Sequence, residues 1–173
     1  VHYSLESFDS PEKLCQQIEE LERWSGADVM AGRAHYLRYD AESSPPMWAD
    51  CGIRLDESFG LSKHIGFRTG LAGPYRIFDR ATYRELPVVE VPLTIMDRCL
   101  FNHGVDPFEA FQAQFDRISQ VGGSISILFH TGLLDTPEMP QYRGLYDAIL
   151  SYMHAKRARQ LSTATLLAHF DTR

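Results

Sequence analysis

The chain has 173 residues, 44% of them hydrophobic and 23% charged, which suits one globular domain with its own core. Its formal net charge is −6; the one basic cluster, Lys156-Arg157-Ala158-Arg159, reads as a solvated helix end, so no nucleic-acid surface is expected. No apolar run approaches the roughly 20 residues of a membrane span, nothing reads as a signal peptide, and three widely spaced cysteines (Cys15, Cys51, Cys99) read as reduced thiols of a cytoplasmic protein.

Val1-His2 opens the chain without methionine or a polar lead-in and reads as the end of a strand, so further strands are expected upstream. Ser10 and Pro11 start a helix as N-cap and first helical residue. Leu14, Ile18, Leu21 and Trp24 recur at helical spacing, and Gly26 supplies the stop. Asp28 to Tyr36 is expected to be extended, which sets Arg33 and His35 on one side of a strand. Ser44-Pro45-Pro46 opens a short helix closed by Gly52, and Ile53 to Asp56 is the next strand. Glu57 to Tyr83 has little periodicity and reads as a long surface excursion, a length of loop that tends to be functional. Val88 to Met96 reads as a single strand. Asp106-Pro107-Phe108-Glu109 resembles a capping box opening a helix, with Phe108, Phe111, Phe115 and Ile118 on one face and Gly122-Gly123 at its end. Ser124 to Phe129 is a strand. Tyr142 to Ala155 is a helix with Leu145, Ile149 and Tyr152 inward, and Ser162 to Phe170 a short terminal helix. The order is β/α repeated about four times in a single domain over residues 1–173. That predicts an α/β fold with a mostly parallel sheet, and an incomplete barrel.

Three apolar runs stop at titratable residues: Ile53–Leu55 at Asp56, Val88–Met96 at Asp97, and Ser124–Phe129 at His130. Parallel sheets carry their reactive groups at the carboxyl ends of the strands, although Asp and His also close strands as turn residues. His2, at a strand end, can ligate a metal through a neutral imidazole nitrogen, or be an ordinary surface histidine. Arg33 can hold a neighbouring acid ionised and correctly turned, or pair with a surface carboxylate. His35 can ligate a metal or position a substrate oxygen. Tyr36, Arg38 and Tyr39 add aromatic and guanidinium surface of the kind that packs on sugars. The excursion after Asp56, with Arg68 within it, concentrates glycines, aromatics and charges.

Taken in order, these segments resemble the later part of a polysaccharide deacetylase, the NodB-homology group of carbohydrate esterase family 4. The matching pieces are His2-Tyr3-Ser4, Arg33-Ala34-His35-Tyr36-Leu37-Arg38, Asp56-Glu57-Ser58-Phe59-Gly60, Gly66-Phe67-Arg68-Thr69-Gly70, Pro74-Tyr75-Arg76-Ile77-Phe78-Asp79, Val91-Pro92-Leu93-Thr94-Ile95-Met96-Asp97, Leu128-Phe129-His130 and Arg143-Gly144-Leu145-Tyr146. The resemblance implies a distorted (β/α) barrel lacking its N-terminal strands, and metal-dependent hydrolysis of an N-acetyl group on a sugar. It puts His2 on the first metal histidine, Arg33 on the orienting arginine and His130 on the histidine that protonates the leaving amine. His35, Tyr36, Arg68, Asp56 and Asp97 are left on the substrate side. The implied cofactor is a divalent metal, zinc first, in the complete protein.

The family's Asp-Asp motif, which carries the base and one metal ligand, would precede Val1. Its second metal histidine would fall on Glu6, so Glu6 ligates, or His35 substitutes, or this chain holds no metal. Three functions follow: a deacetylase-like hydrolase, a non-catalytic carbohydrate-binding or regulatory module, and a hydrolase of another C–N bond. The expected partners are a carbohydrate and either the missing N-terminal segment or a second copy along the open barrel edge, with neither nucleic acid nor membrane.

Overall fold

The computed structural model describes residues 1–102 and 104–172. In chain order its elements are β1 (His2–Tyr3), α1 (Pro11–Ser25), β2 (Ala31–Ala34), α2 (Ser44–Asp50), β3 (Leu55–Asp56), β4 (Tyr75–Asp79), β5 (Arg84–Glu90), β6 (Leu93–Met96), α3 (Asp97–Leu100), α4 (Pro107–Gln120), β7 (Ser126–Leu128), α5 (Thr131–Leu134), α6 (Pro140–Ala155) and α7 (Thr163–Asp171). This is a mixed α/β fold whose strand pairs are parallel except β4–β5, and no closed barrel forms among the described residues.

The chain divides into two compact units. The first comprises Val1–Phe59, Pro74–Pro92 and the chain from Leu161 onward. Its sheet has the order β1-β2-β3-β5-β4. Two cores lie on it. Tyr3, Leu14, Ile18, Trp48, Ile77 and Val88 form one, built with α1 and α2. Leu55, Val89, Val91 and Leu167 form the other, under α7. Val88 and Val89 belong to different cores because successive strand residues face opposite ways. Gly32 is required where it stands: a Cβ there would meet the Tyr3 ring at 2.2 Å.

Local chemistry explains the first helix. Ser10 accepts the Lys13 N–H as N-cap, Pro11 takes the first helical position, and Gly26 closes the helix at φ 68°, an angle that favours glycine. The buried stripe is shorter than the periodicity predicts. Leu14 and Ile18 are buried, but Leu21 is exposed and Trp24 is 88% exposed. Cys15, on α1, is disulfide-bonded to Cys51 at the end of α2, with Cα atoms 5.1 Å apart. The expectation of three reduced thiols is therefore corrected: packing of α1 on α2 brings two cysteines 36 positions apart within bridging distance. Cys99 remains a buried free thiol.

Three more expectations change. The extended segment ends at Ala34, because His35–Leu37 form a 3-10 turn in which Tyr36 and Leu37 take φ of 56° and 53°. Arg33 and His35 therefore do not share one side of a strand. The long excursion contains β4, paired antiparallel with β5 as a hairpin. Val88–Met96 is two strands rather than one, since β5 ends at Glu90 and β6 begins at Leu93 in a different sheet. Pro92 lies at that break, where a missing N–H interrupts a ladder.

The second unit comprises Gly60–Gly73 and Leu93–Gln160. A parallel pair, β6 and β7, is covered by α4 and α6, with Ile95, Leu100, Phe111, Phe115, Leu145 and Ile149 as its core. Asp106 caps α4 by accepting the N–H groups of Phe108 and Glu109, as its sequence context predicts.

Candidate functional site

In the first unit, the parallel ladder pairs His2 with Arg33. His2 Nδ1 lies 3.0 Å from the Arg33 carbonyl oxygen. A carbonyl only accepts, so this nitrogen carries the proton and donates it. His2 Nε2 is then a lone-pair nitrogen in the neutral ring, and it lies 2.8 Å from His35 Nδ1. Partial burial lowers the His2 pKa below the ordinary imidazole value, and the charges of His35 and Arg33 push the same way, against the backbone hydrogen bond that raises it. The turn that ends β2 delivers His35 to this position. Tyr36 follows it at a positive φ, 76% exposed, with its ring edge-on to His35 at 4.4 Å between centroids.

Arg33 has its acid close by. Its guanidinium donates to Glu57 Oε2 at 2.6 Å, and its Nε donates to the Glu57 carbonyl. The neighbouring Asp56 is wholly buried, and accepts the Ser58 N–H at 2.8 Å and the Ser58 hydroxyl at 2.9 Å. Ser58 Oγ in turn accepts the Ala34 N–H at 2.8 Å. Asp56 is thus closed in by Ser58 and braces the turn that is bonded to Ala34. Glu6 is not at the histidine pair in any bonded sense: its carboxylate is exposed and pairs with Lys13 at 3.2 Å. Of Glu6 and His35, only His35 is hydrogen-bonded to His2.

In the second unit, Asp97 directly follows β6 and His130 lies two residues past β7, so parallel pairing of Met96 with Leu128 brings them together. Asp97 is fully buried. Its Oδ1 lies 3.0 Å from His130 Nδ1, and its Oδ2 accepts the His130 backbone N–H at 2.7 Å. The Arg98 N–H also donates to Oδ1, at 2.7 Å. These contacts occupy both Asp97 oxygens with His130 and the Arg98 backbone. The carboxylate fixes the proton on Nδ1, which leaves Nε2 as the working end of a side chain that is 46% exposed. A histidine held this way by a buried carboxylate is an arrangement that can serve acid–base chemistry. Arg68 belongs to this same unit and is exposed.

Sequence reasoning missed three participants: Glu57 as the partner of Arg33, Ser58 as the link between Asp56 and Ala34, and Glu90, fully buried opposite Asp56. The last had a legible signal, a lone acid inside the apolar run Val88-Val89-Glu90-Val91. No protein-family model matches this chain, and no curated protein matches it.

Proposed function

We propose that this chain is part of a hydrolase of the polysaccharide-deacetylase type, one that removes N-acetyl groups from a carbohydrate with a divalent metal, and that its fold is part of that family's distorted barrel. The observation that carries this reading is the facing of His2 Nε2 and His35 Nδ1 at 2.8 Å, from β1 and from the turn that follows the adjacent parallel strand β2. Two imidazole nitrogens suit zinc once the proton that His35 Nδ1 donates to His2 Nε2 gives way to the metal, and the carbonyl on His2 Nδ1 is the kind of outer partner that fixes a ligating tautomer. His2 and His35 would hold the metal, which when bound supplies polarisation of the acetyl carbonyl and a lowered water pKa. Within the second unit, taken by itself, His130 with Asp97 on its Nδ1 is suited to give a proton from Nε2 to a departing amine. The Arg33–Glu57 pair fixes the strand end that bears His35, and Tyr36 offers its exposed ring to a sugar.

The second reading, a carbohydrate-binding module without catalysis, has its own support. Among the described residues no group of three or more His, Cys, Asp or Glu converges on one point, and catalytic zinc normally takes three protein ligands. Among the same residues no helix is long and apolar enough to cross a membrane. A cytoplasmic location loses its sequence argument once Cys15 and Cys51 are bonded. An oxidising compartment, where an exported polysaccharide is met, fits the bond better. Acetate release from an N-acetylated oligosaccharide, assayed with zinc and with a chelator, separates the two: the hydrolase requires the metal and loses activity in His35→Ala, whereas the module binds the sugar and releases nothing.

A further inference from the structure

Four strands of the first unit are joined by one row of register partners: Gly32 opposite Asp56, Asp56 opposite Glu90, and Glu90 opposite Tyr75. Partners in a ladder point to the same face, on strands about 4.8 Å apart. Asp56 and Glu90 are therefore side by side, and both are fully buried. Asp56 spends its oxygens as acceptors, taking the Ser58 N–H and hydroxyl. Glu90 Oε1 accepts the Phe59 N–H at 3.0 Å, while Glu90 Oε2 and the buried Tyr3 hydroxyl that lies over Gly32 have, among the described residues, no neighbour but Asp56 to bond with.

The other titratable groups facing this row are Tyr3 from β1, Tyr75 from β4, Glu57 beyond β3 and the Val1 amino group, which donates to the Ala31 carbonyl. Arg33, on the neighbouring strand β2, is engaged by Glu57. Two ionised carboxylates would thus stand against each other in a dry site with almost no opposing charge, a state that like-charge repulsion and desolvation both disfavour. Two protonated ones would waste the acceptor bonds that Asp56 makes to Ser58.

We propose that Asp56 and Glu90 share a single proton, carried by Glu90, so that a carboxylic acid braces a carboxylate inside the sheet. The pair then keeps Asp56 ionised toward Ser58, and through Ser58 it holds the Ala34 backbone between Arg33 and His35. Burial pushes both carboxyl groups above the usual carboxylate range. The inference is independent of whether the chain hydrolyses anything.

Infrared difference spectroscopy on the whole chain tests it. Wild type at neutral pH is expected to show the carbonyl stretch of a protonated carboxyl group, and Glu90→Gln to lack it. A proton held in the fold but not in the unfolded chain makes stability fall as pH rises from the ordinary carboxylate range to the raised pKa. The pH slope of the melting temperature should therefore be more negative in wild type than in Glu90→Gln, whose amide donates to Asp56 without titrating. Should Glu90→Gln not fold, an alkaline titration of wild type serves instead, with loss of the band and loss of stability expected together. A wild type with no protonated carboxyl at neutral pH, or equal pH slopes in the two proteins, would overturn the proposal.

Discussion

His2 Nε2 and His35 Nδ1 lie 2.8 Å apart, although 33 positions separate the residues. Parallel pairing of β1 with β2 and the sharp turn after Ala34 bring them together. Partial burial first, and the His35 and Arg33 charges after it, predict a depressed His2 pKa. The folded state favours the neutral ring, so this contribution to stability is present above the ordinary imidazole pKa of about 6.5 and is lost as pH falls through the lower, folded value. NMR titration of the imidazole protons should find His2 titrating below the unfolded reference. A His2 that titrates at or above it contradicts the geometry.

Asp97 and His130 predict a catalytic signature. Asp97→Asn removes an acceptor from a site with three donors, two from His130 and one from Arg98. The imidazole is then free to take the wrong tautomer. If the hydrolase reading holds, kcat should fall by on the order of 10²–10⁴-fold with KM little changed. A variant that keeps kcat would remove His130 from the chemistry.

The Cys15–Cys51 bond predicts a redox-dependent stability. Reduction, or Cys51→Ser, should lower the unfolding free energy by about 2–4 kcal/mol. Denaturant titrations with and without a dithiol measure it. Thiol counting in the unreduced, unfolded chain should find Cys99 alone, and three thiols would contradict the pairing.

Much of the local structure is legible in the sequence, because caps and strand ends are local chemistry. Ser10-Pro11, Asp106-Pro107 and the runs that stop at Asp56, Asp97 and His130 all announce their elements. What was not legible depends on packing between distant segments. Nothing near Cys15 or Cys51 says that α1 and α2 meet there. The Tyr36 and Leu37 dihedrals, which end the extended segment at the His35 turn, belong to residue types that normally avoid positive φ. Pro92 was visible inside an apolar run, but only the division into two sheets shows that it splits a strand. Asp97 could be placed at a strand end from sequence; that it faces His130 follows from the register of β6 with β7.

Core packing gives a further check on the second unit. Phe111 is fully buried between Phe115 and the α6 side chains Leu145 and Ile149. Phe111→Ala should cost about 3–5 kcal/mol in denaturant unfolding. A cost under about 1 kcal/mol, the range of ordinary surface changes, would contradict this packing.

The most direct test of the proposed chemistry is the metal-dependent release of acetate from an N-acetylated oligosaccharide by the protein as its gene encodes it, compared with His2→Ala and His35→Ala. The expected result is release that requires zinc or another divalent ion, is abolished by a chelator, and is lost in both variants while each stays folded by circular dichroism. Release that persists without metal, or that survives both substitutions, would contradict the assignment of His2 and His35 as the metal-holding pair.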